Sequence, residues 1–214
     1  MQVGDEPGGG FFVTIEGIEG AGKSTLARFI GGRLQSDGFQ VIVTAEPGGD
    51  PVSEQIRRLL LNSADSITVR AELLLFEAAR AQHVERIIKP ALVEGKVVIC
   101  DRFTDSSLAY QGWARGIDPR DVQMLNDYAT AGLKPHLTLL LDLPPEVGLA
   151  RTREVDRFSR EGIEFHHVVR EGYLAIAKQE PGRFVVIDAQ RPFNEVAALA
   201  LEVINSRLRA KDTS

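Results

Sequence analysis

Five short apolar runs recur along the chain, each separated from the next by a stretch with helical periodicity. They are rich in Val, Ile and Leu and lack polar alternation, which is the pattern of parallel strands covered on both faces. Strands are therefore predicted at Phe11–Ile15, Gln40–Thr44, Lys96–Cys100, Leu137–Leu141 and Arg183–Ile187. Strands that alternate with helices predict an α/β fold, a doubly wound five-stranded parallel sheet flanked by helices.

The helical stretches carry their own start signals. Asp50-Pro51 and Asp118-Pro119 each place a capping carboxylate before a proline at the first helical position. Apolar residues at helical spacing predict a long amphipathic helix from Glu195 to Arg209. In a sheet of this kind ligands bind beyond the carboxyl ends of the strands, so the motifs at those ends are the candidates for function.

Length and composition narrow the class of protein. The 214 residues fit one domain spanning 1–214, with Met1–Gly10 expected to be a flexible leader. No apolar run is long enough to cross a membrane, and no secretory signal is visible. The net charge of −5 and the absence of a Lys/Arg stripe argue against nucleic acid as the partner. A single cysteine, Cys100, suits the reducing cytoplasm.

A phosphate-binding loop joins the first predicted strand to the helix expected over Ser24–Leu34. The segment Gly-Ile-Glu-Gly-Ala-Gly-Lys-Ser matches Gly-x-x-x-x-Gly-Lys-Ser in full. Its backbone N–H groups and the helix N-terminus bind phosphates, while Lys23 reaches the terminal phosphates and Ser24 ligates Mg²⁺. Chance glycines in a turn are the alternative. Contacts to a nucleoside triphosphate are assigned to Gly17, Ile18, Glu19, Gly20, Ala21, Gly22, Lys23, Ser24 and Thr25.

Two further motifs follow predicted strands directly. Ala45-Glu46-Pro47-Gly48-Gly49 is either a loop that a ligand approaches closely or a plain strand-to-helix turn. Asp101 can hold Mg²⁺ opposite Ser24, and Arg102 offers a planar fork to a second phosphate. A structural ion pair is the alternative for Asp101 and Arg102. Arg57, on the next predicted helix, can reach an anion over the first of these loops.

Polar and aromatic side chains at four-residue spacing suggest a base site. Phe76 and Arg80 share one helix face, where a ring and a guanidinium can stack on a base and read its edge. Periodicity alone favours packing of Phe76 in the core. Ser107 and Gln111 repeat the same spacing after Asp101, although such residues are common on helices.

Four arginines crowd the segment after the fourth strand. Arg151, Arg153, Arg157 and Arg160 are candidates for a short mobile lid, at about residues 150–164, that closes over a transferring phosphoryl group. A solvated charged helix face is the equal alternative.

Together these motifs resemble the bacterial thymidylate kinase family, from about Phe11 to Leu208. The resemblance rests on five ordered segments, which are Ile15–Ser24, Glu46–Gly49, Leu75–Arg80, Asp101–Gly112 and Asp142–Leu149. It implies a P-loop kinase fold, ATP as the phosphoryl donor, Mg²⁺ as the metal, thymidine 5′-monophosphate (dTMP) as the acceptor, and a homodimer packed through helices.

The resemblance also implies residue roles. Phe76 and Arg80 grip the thymine, Arg57 and Arg102 meet the monophosphate, and Glu19 lies near the deoxyribose 3′-hydroxyl. Acceptor contacts are expected from Glu19, Glu46, Pro47, Arg57, Phe76, Arg80, Arg102, Ser106, Ser107, Tyr110 and Gln111. Ser24 and Asp101 are the expected metal ligands.

The source of the catalytic arginine follows from the loop. Because position 20 is glycine, the resemblance places that arginine in the lid, where Asp156-Arg157-Phe158 matches the family's motif. Lys23, Arg102 and Arg157 are thus the expected catalytic residues, with Arg153 near ATP. The segment between Leu149 and Asp156 is shorter than in the family pattern, which leaves the roles of Arg151 and Arg153 open.

The predicted activity is transfer of the γ-phosphoryl group of ATP to dTMP, giving the diphosphate and ADP. The alternatives are another nucleoside monophosphate kinase and an ATPase switch. A GTPase is disfavoured because the chain has no Asn-Lys-x-Asp motif.

Overall fold

The carboxyl ends of five parallel strands form the edge at which the predicted motifs meet. The computed structural model describes residues 9–63, 65–152 and 156–212, so most of the expected leader lies outside the described residues. The strands are β1 (Phe11–Glu16), β2 (Val41–Ala45), β3 (Val97–Asp101), β4 (Leu137–Asp142) and β5 (Phe184–Asp188). Each agrees with its predicted strand to within one residue at either end.

The sheet has the order β2-β3-β1-β4-β5, and every neighbouring pair is parallel. In the β1–β3 register Ile15 lies opposite Asp101. The phosphate-binding loop after β1 and the Asp101-Arg102 motif after β3 are therefore side by side. This placement confirms the predicted doubly wound parallel sheet.

Helices cover both faces of the sheet. They are α1 (Lys23–Ser36), α2 (Pro51–Asn62), α3 (Val69–His83), α4 (Lys89–Val93), α5 (Thr104–Ser107), α6 (Pro119–Thr130), α7 (Pro145–Arg151), α8 (Ile163–Gln179) and α9 (Phe193–Asp212). A π-helical segment, Val84–Ile88, joins α3 to α4, and another, Leu108–Ala114, continues α5.

An aspartate caps each of the two helices, α2 and α6, whose starts the sequence predicts. The Asp50 carboxylate accepts hydrogen bonds from the backbone N–H groups of Val52 and Ser53, so it caps α2. Asp118 caps α6 in the same way through Arg120 N–H. Each capped helix has proline at its first position, where a missing N–H costs no hydrogen bond.

Two clusters of buried apolar side chains hold the layers together. The larger one joins β1, β4 and β5 to α1, α8 and α9, and the smaller one joins β1 and β3 to the helical stretch from Val84 to Leu92. Cys100 is fully buried in the smaller cluster. Across the part of the chain that the structure describes, no helix is long and apolar enough to traverse a bilayer.

Candidate active site

The phosphate-binding loop owes its shape to a close approach between two glycines. Gly20 has φ +71°, and a Cβ there would lie 1.9 Å from the carbonyl oxygen of Gly148 on α7. Only glycine fits such a contact at a positive φ. The loop is thus locked against α7 while its free N–H groups and the start of α1 face the cleft.

Lys23 is buried at the first position of α1. Its Nζ donates to the Ile18 carbonyl at 2.7 Å, which curls the side chain back over the loop. Burial, together with the nearby Arg102 charge, lowers the pKa of Lys23 to about 8. A bound phosphate would offset that unfavourable environment.

Ser24 and Asp101 meet as the sequence predicts for a metal site. The Ser24 hydroxyl donates to Asp101 Oδ2. Asp101 Oδ1 is buried and has no hydrogen-bond partner among the described residues. A hydroxyl oxygen with its proton held by a carboxylate, beside an unpartnered carboxylate oxygen, is a donor set that fits Mg²⁺.

Arg102 occupies the left-handed region at φ +70°, an uncommon conformation for a side chain of this size. Its guanidinium donates to Glu19 Oε1 at 3.0 Å, to the Gly17 carbonyl at 3.1 Å and to the Tyr173 hydroxyl at 3.2 Å. The backbone twist therefore turns the fork towards the loop and Glu19.

Glu19 is the acid that separates the two halves of the cleft. Its Oε1 accepts from Tyr110 Oη at 2.6 Å and from Arg102, whereas the buried Oε2 lies 3.2 Å from His166 Nδ1. Burial opposes its charge, but His166, Arg102 and Lys23 outweigh burial and hold the pKa of Glu19 well below its usual range. Glu19 is therefore ionised.

One pocket contains every residue predicted to contact the acceptor. Its lining includes Glu19, Glu46, Pro47, Arg57, Phe76, Arg80, Arg102, Ser106, Ser107, Tyr110 and Gln111. A second cleft, lined by Gly20, Lys23, Ser24 and Asp101, adjoins this acceptor pocket. Glu19, Arg57 and Arg102 line both cavities, so a donor and an acceptor phosphate would meet at these three side chains.

Arg80 enters the acceptor pocket from a crowded site. It is 2% exposed, and its guanidinium donates to Glu46, Glu77, Ser107, Asn126 and the Phe103 carbonyl. These partners fix the plane of the guanidinium. Nη2 carries two hydrogens and donates one of them, to the Phe103 carbonyl. Its second N–H has no acceptor among the described residues.

The aromatic wall of the pocket has two sides. Phe76 is partly buried: it packs against the core, as periodicity alone indicates, and also lines the pocket. Phe158 packs beside it, with ring centroids 5.8 Å apart, and also lines the pocket. Sequence reasoning missed Phe158 as a pocket residue, although it ends the quoted Asp156-Arg157-Phe158 motif.

Gln111 and Ser107 are committed to protein partners. Gln111 Nε2 donates to Glu72 Oε1 at 2.8 Å, and Ser107 Oγ accepts from Arg80. Both side chains are 1% exposed. Both line the acceptor pocket, so their contacts with Glu72 and Arg80 fix part of its wall.

The structure does not bring Arg157 to the phosphates. Its Nη2 lies 2.7 Å from Glu72 Oε2, and its Nε donates to the Leu60 carbonyl at 3.0 Å. Arg157 lines neither the acceptor pocket nor the loop cleft, whereas its neighbour Asp156 lines both. Arg153 lies outside the described residues, so its predicted contact with ATP stays a prediction.

A third cavity lies on the other side of the phosphate-binding loop. It is bounded by the loop residues Ala21 and Gly22, by Arg151 of α7 and by the β5–α9 connection from Ala189 to Phe193. Sequence reasoning missed Gln190 and Phe193 here. Their only signal is position, since they follow the carboxyl end of a strand.

Comparison with known proteins agrees with this geometry. The thymidylate kinase family model matches residues 15–199. A thymidylate kinase from Geotalea uraniireducens is 49% identical over 210 residues, covering 93% of this chain and 98% of that protein. A thymidylate kinase from Synechococcus sp. (strain JA-2-3B'a(2-13)) is 51% identical over 197 residues, covering 92% and 95% respectively.

A solved structure matches the fold as well as the sequence. The crystal structure of thymidylate kinase from Ehrlichia chaffeensis superposes with a TM-score of 0.77 at 35% identity, covering 92% of this chain and 99% of that one. The family model spans the phosphate-binding loop, the acceptor pocket and the start of α9. The chain belongs to the thymidylate kinase family.

Proposed function

We propose that this protein transfers the γ-phosphoryl group of ATP to dTMP, giving thymidine diphosphate and ADP. The observation that carries the proposal is the single pocket formed by all the expected acceptor residues, which adjoins the cleft of the phosphate-binding loop. The family membership supports the same activity.

Phosphoryl transfer needs positioning and charge neutralisation more than proton chemistry. The acceptor is a phosphate oxygen of low pKa, so no strong general base is required. Lys23 lines the loop cleft and Arg102 lines both cavities, so both would neutralise the charge that develops between donor and acceptor. Their burial strengthens this effect by lowering the local dielectric.

The base, the sugar and the phosphate of the acceptor would each contact a different part of the acceptor pocket. Thymine would pack against the ring of Phe76, with the remaining Nη2–H of Arg80 directed at an acceptor on the base. The Glu19 carboxylate would accept the deoxyribose 3′-hydroxyl proton. Arg57 and Arg102 would hold the monophosphate.

Mg²⁺, when bound, would neutralise charge on the donor phosphates. Ser24 and Asp101 are the residues that would hold it, because their oxygens form the donor set described above. No other residue is assigned to the metal in this proposal.

The segment at about residues 150–164 is proposed as the lid of a single P-loop kinase domain that spans 1–214. For Arg157 to act as the catalytic arginine it must leave Glu72 and the Leu60 carbonyl and turn towards Lys23. The partners of Arg157 in the structure thus define the open position of this lid.

The third cavity is proposed as the site of the adenine ring of ATP. It borders the phosphate-binding loop on the side away from the acceptor pocket, so a nucleotide whose phosphates lie in the loop would extend its base there. Phe193 is 43% exposed and offers a ring face, while the Arg151 guanidinium is fixed by the Ala189 carbonyl at 3.0 Å.

The proposal extends to assembly and location. A homodimer packed through helices is supported by exposed apolar side chains on α3 and α6, with Leu74 at 55%, Met124 at 61% and Tyr128 at 88% exposure. A cytoplasmic location is supported by the free, buried thiol of Cys100, which suits a reducing compartment.

The test is a coupled assay of ADP release, run without an acceptor and then with dTMP and each other nucleoside monophosphate. The proposal expects turnover only with dTMP and close analogues. Turnover with another monophosphate but not with dTMP would replace it with a different kinase. Equal ADP release without any acceptor would replace it with an ATPase.

A further inference from the structure

A buried chain of hydrogen bonds runs from β2 into the acceptor pocket. Thr44 Oγ1 lies 2.7 Å from His83 Nε2, and His83 Nδ1 lies 3.0 Å from Glu46 Oε1. The other carboxylate oxygen, Glu46 Oε2, accepts from Arg80 Nε at 2.8 Å. His83 and Arg80 come from adjacent turns of α3, so the chain ties the loop after β2 to that helix.

The partners assign the protons along this chain. An ionised Glu46 only accepts hydrogen bonds, so His83 Nδ1 carries the proton that it donates to Oε1. In the neutral ring Nε2 is then an acceptor, and the Thr44 hydroxyl donates to it. Glu46 thereby selects the tautomer of His83, and the Thr44 hydroxyl completes its hydrogen bonding.

The loop around Glu46 is shaped to admit this histidine. Gly49 has φ +91°, and a Cβ there would lie 2.6 Å from His83 Nε2 and 2.8 Å from Thr44 Oγ1. Any other residue would press on the ring and the hydroxyl together. The Glu46–Gly49 loop is therefore fitted to His83 as well as to a ligand.

His83 does not itself reach the cavities. It is 0% exposed and lines neither the acceptor pocket nor the loop cleft, whereas Arg80 lines the acceptor pocket and Glu46 lines both cavities. An effect of His83 on the acceptor must therefore pass through Glu46.

We propose that His83 is a positioning residue for the acceptor nucleotide: it holds the Glu46 carboxylate in the orientation that aims the Arg80 guanidinium into the pocket. This inference rests on the proposed function, since it concerns recognition of the monophosphate. Removing the Nδ1–H leaves a buried carboxylate oxygen without its donor, and Glu46 would then turn towards other N–H groups of Arg80. Thr44 and Glu46 also line the loop cleft, but Arg80 lines only the acceptor pocket, so loss of the His83 contact should weaken dTMP binding more than ATP binding.

Two conservative variants separate positioning from simple stability. In Asn the side-chain amide nitrogen lies where Nδ1 of histidine lies. In Gln it lies where Nε2 lies. His83→Gln is expected to raise KM for dTMP about 10-fold and KM for ATP by much less. His83→Asn keeps a donor towards Glu46 and is expected to recover most of that loss.

His136→Gln is the matched control for the loss of a histidine hydrogen bond. His136 Nδ1 accepts from Phe12 N–H at 2.9 Å and lines none of the cavities described above. This variant is expected to lower thermal stability without changing either KM. If His83→Gln behaves like His136→Gln, or if KM rises equally for dTMP and ATP, the positioning role is wrong.

A measurement on the wild-type enzyme holds even if the variants fold poorly. Nitrogen-15 NMR of histidine-labelled protein is expected to show His83 with its proton on Nδ1, both free and with dTMP bound. A proton on Nε2 instead would overturn the inference. Wild-type enzyme without dTMP-dependent turnover would defeat the proposed function, whereas an active wild type with unaffected variants defeats only the role of His83.

Discussion

At the scale of single residues, Asp101 has two unlike oxygens. Oδ2 accepts the Ser24 proton, whereas the buried Oδ1 has no partner in the described chain. Asp101→Asn keeps the shape and places a weaker ligand or an N–H at that position. We expect the Mg²⁺ concentration required for half-maximal turnover to rise about 10- to 100-fold, measured by titrating Mg²⁺ at saturating nucleotide.

Asp142→Asn is the matched control, because Asp142 also ends a strand but both of its oxygens bond Arg170, at 2.6 and 2.9 Å. It should leave the Mg²⁺ requirement unchanged. An equal shift in the two variants would mean that Asp101 has no special relation to the metal.

The roles of individual residues were predictable as far as their motifs reach. Glu46 and Arg80 belong to separate motifs of the sequence, and the structure brings both to one pocket. The sequence does not reveal that Arg80 also bonds Asn126, because that contact joins two helices 46 residues apart. Tyr173, which bonds Arg102, gives no signal beyond the apolar period of its helix.

At the scale of elements, the phosphate-binding loop depends on its contact with α7. A Cβ on Gly20 would lie 1.9 Å from the Gly148 carbonyl. We expect Gly20→Ala to destabilise the fold by about 2 kcal/mol or more and to weaken ATP binding, as measured by thermal unfolding and calorimetry.

Gly32 supplies the contrast within the neighbouring helix α1, where a Cβ would meet nothing within 4 Å. Gly32→Ala should raise stability by about 0.5–1 kcal/mol and leave ATP binding intact. A tolerated Gly20→Ala would show that the loop is not locked against α7.

The lid allows a second comparison at this scale. Arg157→Ala should lower kcat about 1000-fold with little change in ATP affinity, because its charge would act only in the closed state. Arg160 lies in the same segment but is exposed, so Arg160→Ala should keep kcat near the wild-type value. Steady-state kinetics of both variants decides the matter: a change in KM alone for Arg157→Ala would move the role to another lid arginine.

Elements were easier to predict than the contacts between them. Buried strands identify themselves by unbroken Val, Ile and Leu runs, and the Asp-Pro starts of α2 and α6 are local signals. The position of Arg157 against Glu72 is set by tertiary packing between segments 85 residues apart in sequence. No periodicity or capping rule encodes such a contact.

At the scale of the whole molecule, Glu16 joins the sheet to the segment that follows β3 and to α8. Its carboxylate accepts from Phe103 N–H and Ser106 Oγ, both at 2.7 Å, and from Tyr173 Oη at 3.0 Å. Burial, together with the Asp105 charge, raises the pKa of Glu16 to about 7 from an ordinary value of 4.5. The folded protein thus holds this proton more tightly than the unfolded chain does.

The sign of the resulting pH dependence follows from linkage. Between pH 4.5 and about 7, Glu16 is ionised in the unfolded chain but still protonated in the folded protein. Raising the pH across this range therefore favours the unfolded chain and lowers the free energy of unfolding. Relative to Glu16→Gln, which cannot ionise, wild-type stability should fall by about 3 kcal/mol across that range. Denaturant unfolding of both proteins at several pH values measures it, and a constant difference would contradict the assigned burial.

The proposed reaction transfers a phosphoryl group from ATP, bound at the loop cleft, to dTMP, bound in the acceptor pocket. The most direct measurement incubates the protein with Mg²⁺, dTMP and ATP labelled in its γ-phosphate, and then separates the products. We expect label in thymidine diphosphate, formed in equal amount with ADP, and almost none in inorganic phosphate. Label that appears in inorganic phosphate at the same rate with and without dTMP would contradict it.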